Sequence, residues 1–118
     1  MSKIMTLSDA TKDELPGVRT VLRIINENSG AEKIGVLMVK YNPNATGGVH
    51  YHERRESAYI VLEGRAKLSL NDVEYELKPD MVVLISPGDK HGIVSTGDEA
   101  FKMIEVYSPL EPDRIDIL

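Results

Sequence analysis

Gly48-Val49-His50-Tyr51-His52-Glu53-Arg54-Arg55-Glu56-Ser57-Ala58-Tyr59-Ile60-Val61-Leu62-Glu63-Gly64 is the stretch of this 118-residue chain on which the reading of its fold turns. It carries two of the three histidines, one residue apart in an extended context. The two-residue side-chain period of a strand puts both imidazoles on one face, where they can chelate. Glycines close the stretch at both ends.

Outward from it, short β-branched and aliphatic runs alternate with turn clusters at nearly even spacing, the pattern of an all-β sandwich or barrel. The expected strands are Val18 to Asn26, Ile34 to Tyr41, Val49 to His52, Ser57 to Leu62, Ala66 to Leu70, Val73 to Leu77, Met81 to Ile85, His91 to Ser95 and Phe101 to Tyr107. The clearest hairpin is Ala66 to Leu77, where apolar and polar residues alternate on either side of Asn71-Asp72. Ser8 to Leu15 reads as one short helical turn before Pro16-Gly17. Residues 1–17 and 108–118 are expected to be arms on the barrel or on a partner subunit.

The third histidine, His91, follows Pro87-Gly88-Asp89 at the start of another expected strand, from which it can approach the first two. A lone histidine is usually a surface or hydrogen-bonded residue, so the weight rests on spacing. Neutral imidazole nitrogens suit zinc, iron, copper and nickel, and three of them leave open coordination positions.

The stretch from Gly48 to Gly64 resembles the first motif of the cupin family: His-x-His, three or four residues, a glutamate, six residues and a glycine. Ser86-Pro87-Gly88-Asp89-Lys90-His91 is similar to the family's second motif, in which a Pro-x-Gly turn is followed after two residues by a histidine. The resemblance spans roughly Ile34 to Tyr107 and implies a single-domain double-stranded β-helix, a jelly-roll-like barrel with a core over about 18–107. It also implies one divalent ion of iron, zinc, manganese, nickel or copper, held by His50, His52 and His91.

The chain departs from the pattern in places. The spacing to Gly64 puts the family's ligand glutamate at Ser57, and Glu56 stands one residue early. On a regular strand that displacement turns Glu56 to the opposite face unless a bulge re-aims it. The expected shell is therefore either three histidines or three histidines and Glu56. Ser86 replaces the first proline of the second motif, Asp80 stands at the usual turn glycine, and Ser95 stands where asparagine is common.

Strand alternation groups Ser57 with Tyr59, and His91 with Ile93 and Ser95, so Tyr59, Ser57 and Ser95 are candidates to line a cavity beside the metal. Tyr59 equally suits a core aromatic. Glu105 faces inward if Phe101 and Met103 do, but Lys102, Ile104 and Val106 form an equally apolar alternative face, and it is left unassigned.

A formal charge of −5 provides no general positive field, so neither nucleic acid nor an anionic membrane is an expected partner. An apolar share of 42% with 28% charged residues suits one soluble globular domain. No apolar run approaches a membrane span, and the start lacks a leader-like run, so the protein is expected to be cytoplasmic. With no cysteine, thiolate ligands and a cysteine nucleophile are excluded. No Ser-His-Asp arrangement or phosphate-cradling glycine loop is present.

The resemblance implies a metal-dependent enzyme on a small oxygen-rich metabolite, either a dioxygenase or an isomerase, epimerase or lyase. The alternative is a non-catalytic small-molecule or metal-binding module, because one fold hosts many functions. A homodimer is expected, since small cupins commonly pair and exposed sheet edges need covering.

Overall fold

The computed structural model describes residues 2–117, which form eleven strands. They are β1 (Thr11–Leu15), β2 (Arg19–Ile25), β3 (Gly35–Tyr41), β4 (His50–His52), β5 (Glu56–Glu63), β6 (Ala66–Leu70), β7 (Val73–Leu77), β8 (Val82–Ile85), β9 (His91–Thr96), β10 (Phe101–Ser108) and β11 (Arg114–Asp116). One sheet has the order β1-β2-β3-β10-β5-β8 and the other β11-β4-β9-β6-β7. Every pairing is antiparallel.

The two sheets bury one face each against the other. On β3 the buried positions are Leu37, Val39 and Tyr41, alternating with partly or fully exposed ones. β5 buries Ser57, Tyr59 and Val61, and β10 buries Phe101, Met103 and Tyr107. From the other sheet Ala66, Leu68, Leu77 and Ile93 complete the core. This period-two burial on both inner faces is what holds a two-layer all-β fold together.

The Ala66–Leu77 hairpin folds in the register its alternation predicts, Ala66 opposite Leu77 and Leu70 opposite Val73. Asn71 and Asp72 both take positive φ, 49° and 67°. That is the primed turn whose twist matches two-residue hairpins.

The N-terminal expectation is corrected. Before β1, helical geometry covers only a 3-10 turn at Leu7–Asp9, where the Asp9 carboxylate accepts from the Thr6 N–H, and the residues after it form β1. Pro16-Gly17 is a hairpin turn: the Val18 N–H donates to the Leu15 carbonyl at 3.0 Å, with Gly17 at φ 78°. Proline followed by a positive-φ glycine suits the two central turn positions. β1 is exposed throughout and lacks the apolar alternation by which the other strands declare themselves. The C-terminal arm likewise contains a strand, β11, which pairs with β4.

Close backbone approach sets the β4–β9 junction, where His50 and His91 are direct partners. A Cβ on Gly92 would lie 2.0 Å from the Gly48 carbonyl oxygen and 3.2 Å from the Val49 Cα. Gly92→Ala therefore forces these segments apart and is expected to destabilise the protein by ~1–3 kcal/mol, in the manner of overpacking. Urea unfolding checks it, and an unchanged midpoint would contradict the packing described.

Candidate metal centre

Two short strands deliver the imidazoles. β4 presents His50 and His52, whose ring centroids are 5.1 Å apart, and the neighbouring β9 begins with His91, 4.3 Å from His50 and 5.8 Å from His52. One ligand atom from each lies within 4.8 Å of the others. His52 and His91 are buried, at 5% and 1% exposure, and His50 is partly buried.

Hydrogen bonds fix which ring nitrogen is free on His91 and His52. The His91 Nδ1–H donates to the Asp89 carbonyl at 2.8 Å, leaving a buried Nε2 with no protein partner. His52 Nδ1 lies 2.8 Å from Asp113 Oδ1, so its Nε2 carries the lone pair. His50 Nδ1 is also buried without a partner. Orphaned buried nitrogens are costly unless something else satisfies them, and three convergent lone pairs match the donor set of a divalent transition metal.

Electrostatics keep the rings neutral. Burial lowers the His50 pKa to about 3, helped by His91 beside it. Burial also lowers His52, against the opposing pull of Asp113, and lowers His91, against its backbone hydrogen bond. Neutral imidazole is the ligating form. The residues present therefore fit a metal ion.

The second layer is mostly built from segments distant in sequence. Asp113 Oδ2 accepts the N–H groups of Arg54 and Arg55 at 2.8 and 2.9 Å, while Oδ1 orients His52. Burial alone would raise the Asp113 pKa, but these hydrogen bonds hold it below the usual carboxylate range. The loop before His91 is braced by Asn71, whose side chain accepts from the Lys90 N–H and donates to Asp89, and by the Gly88 N–H, which donates to the His52 carbonyl.

His50 and His52 border a cavity of about 450 Å³ between the sheets, whose walls include Tyr59, Tyr107, Arg55 and Glu105. Tyr59 is buried and meets His91 edge-on at 6.2 Å. Ser57 is also buried, and its hydroxyl donates to Glu105 Oε2 at 2.8 Å. Burial raises the Glu105 pKa, opposed by Ser57 and the Arg55 guanidinium.

Glu56 is not brought to the cluster. It is exposed at the start of β5, opposite Ser108, while Ser57 takes the inward position. The register irregularity between β5 and β10 falls at the far end, by Lys102 and Met103, so no bulge re-aims it. Ser95 is displaced as well. Leu68 pairs with Ile93 but Lys67 pairs with Ser95, so Val94 is an extra residue that reverses the alternation. Ser95 therefore lines a separate shallow pocket with Lys67 and Glu76.

Asp113 is the residue that sequence reasoning missed, and Glu105 the one it left unassigned. Glu105 had a signal in the inward parity of Phe101 and Met103. Asp113 had none, because it sits in a charged, proline-containing tail.

Residues 37–107 match the sequence model of the family described as Cupin domain. A protein described as polyketide synthase CurC, from Streptomyces cyaneus, is 27% identical over 95 residues, covering 80% of this chain and 60% of that protein. The chain spans about three-fifths of the length of the curated relatives it matches. The polyketide cyclase RemF from Streptomyces resistomycificus superposes with a TM-score of 0.82 at 28% identity, covering 100% of this chain and 87% of that one. KdgF from Halomonas sp. gives a TM-score of 0.80 at 16% identity, over 94% of this chain and 96% of that one, a likeness of fold.

Removing the carboxylate that orients a metal-binding histidine typically costs ~10–100-fold in metal affinity. Asp113→Ala is expected to lose zinc affinity on that scale in competition with a chromophoric chelator. Wild-type affinity in the variant would show that the contact does not serve the site.

Proposed function

The chain belongs to the cupin family, and from that premise we propose that it is a metal-dependent enzyme that moves a proton on the carbon beside a carbonyl of a small oxygen-rich metabolite. The reaction class is that of an isomerase or lyase. The observation that carries the reading is Glu105, a largely buried carboxylate of raised pKa that lines the same cavity as the imidazoles of His50 and His52.

A divalent ion held by His50, His52 and His91 would polarise a carbonyl or enolate oxygen. Glu105 takes the proton from the adjacent carbon, the C–H electron pair becomes the enolate double bond, and the same carboxyl returns the proton elsewhere on the substrate. Its raised pKa brings it toward neutrality, where a general base is most effective. Ser57 holds the carboxylate in place through its 2.8 Å hydrogen bond. Tyr59 and Tyr107 wall the site, and the cavity volume suits a small organic ligand. The likeness to proteins described as a polyketide synthase and a polyketide cyclase supports a carbonyl-rich substrate.

The test follows deuterium from solvent into the carbon-bound positions of hydroxyacetone by proton NMR, with the metal content measured by elemental analysis. Metal-loaded protein is expected to accelerate exchange. Glu105→Gln should lower the rate ~10²–10⁴-fold, and the His50→Ala, His52→Ala double variant should lose both metal and exchange. Oxygen consumption without exchange would replace this reading with the dioxygenase one. Saturable binding with neither would leave a binding module.

The homodimer is supported by the outer face of the six-stranded sheet. Registered neighbours Val82, Ile60, Ile104, Met38 and Leu22 form an apolar row across five strands, and an adjacent row runs from Leu84 through Ala58 and Val106 to Val36. Val82 and Leu84 are 67% and 64% exposed, on the edge strand β8. A continuous pair of apolar rows of this kind, bordered by Lys40 and Lys102, suits the same face of a second copy across a two-fold axis. Light scattering is expected to give twice the 13.1 kDa chain mass, and Ile60→Asp the monomer mass. A wild-type monomer at micromolar concentration would reject the pairing.

A further inference from the structure

Arg55 lies between β4 and β5, directly after the metal-centre segment, yet its side chain serves no contact in the proposed proton transfer. Its guanidinium carbon stacks 3.9 Å from the centroid of the Tyr107 ring, and the side chain is only 15% exposed. The Arg55 N–H is bound by Asp113, so both the backbone and the planar group are fixed. The nearest carboxylate oxygens, on Glu105 and Asp113, stand 3.9 and 4.0 Å away, beyond hydrogen-bonding distance. Nε is buried and makes no hydrogen bond, its ion pair with Asp113 being the 4.0 Å one.

Both neighbouring carboxylates are otherwise engaged. Asp113 accepts from His52 and from the Arg54 and Arg55 N–H groups, and Glu105 accepts from Ser57. Of the three other arginines at the cavity, Arg23 pairs with Asp13 and Arg114 with Asp116, while Arg19 lies over the Tyr41 ring at the longer distance of 5.9 Å. Arg55 thus combines a permanent charge, a rigid stacked orientation and unspent donors on the cavity wall. An immobilised fork of this type is suited to bidentate recognition of a planar oxyanion.

We propose that Arg55 is an anion subsite that takes the carboxylate of a β-keto acid, fixing the substrate so that its carbonyl lies toward the three histidines and its acidic carbon toward Glu105. A monoanionic carboxylate fits better than a phosphate dianion, because two carboxylates already stand about the single cation at 3.9 and 4.0 Å. The assignment rests on the reading of the cavity as a substrate site and supplies the charge of the substrate.

The experiment compares binding of benzoylacetate and its uncharged methyl ester by isothermal calorimetry, to the protein as purified and after removal of metal by a chelator. The acid is expected to bind ~10- to 100-fold more tightly than the ester, the range of a charge-assisted contact, and to keep that preference without metal. R55M should abolish the preference. R55K, which keeps the charge but not the fork, should keep the preference and lose part of the affinity, and circular dichroism confirms that both variants fold. Equal binding of acid and ester by the wild type, no saturable binding of the acid, or a preference that survives in folded R55M would overturn the assignment. So would a preference that vanishes with the metal, which would place the anion on the ion instead. Because binding is read with and without metal, failure of hydroxyacetone exchange leaves this comparison intact, and the two readings fail separately.

Discussion

Everything in this molecule depends on the two-residue period of strands pressed face to face. Each strand between the edges gives one row of side chains to the interior, and where those rows are aliphatic they make the core around Phe101, Leu68 and Val61. The same rule carries His50 and His52 inward on one strand and aims Tyr59 and Glu105 at the same space from the opposite sheet, with Ser57 buried behind Glu105. Burial then acts twice on the polar members of that interior. It keeps the imidazoles neutral and able to ligate, and it makes the Glu105 carboxyl a weaker acid.

The period also explains what the sequence could and could not tell. The Ala66–Leu77 hairpin was legible because both strands alternate cleanly and the turn residues accept positive φ. The histidine spacing was legible because it falls inside one short strand, and the Pro87-Gly88 turn marks where the third partner enters. Ser95 was misplaced for a local reason. One extra residue at Val94 reverses every later position on that strand, and nothing in His91-Gly92-Ile93-Val94-Ser95 announces it. Glu105 was ambiguous because both faces of its strand are apolar, one toward the core and the other toward the broad outer row that includes Ile104.

β1 and β11 were hidden for a different reason. Both are edge strands with few apolar residues, held by pairing and by surface charge rather than by burial, so no periodic signal survives in them. Asp113 belongs to this class. Its importance comes from the pairing of β11 with β4, which carries it against His52 across a separation of 61 residues. A carboxylate can be recognised as a histidine's partner only after the strands that join them are known.

That pairing also orders the assembly of the site during synthesis. The three imidazoles are translated well before Asp113, so a nascent chain can gather them while His52 still lacks the carboxylate that fixes its tautomer. β11 is thus the strand that completes the centre, and a chain clipped before Asp113 retains the full ligand set with one ring left unoriented.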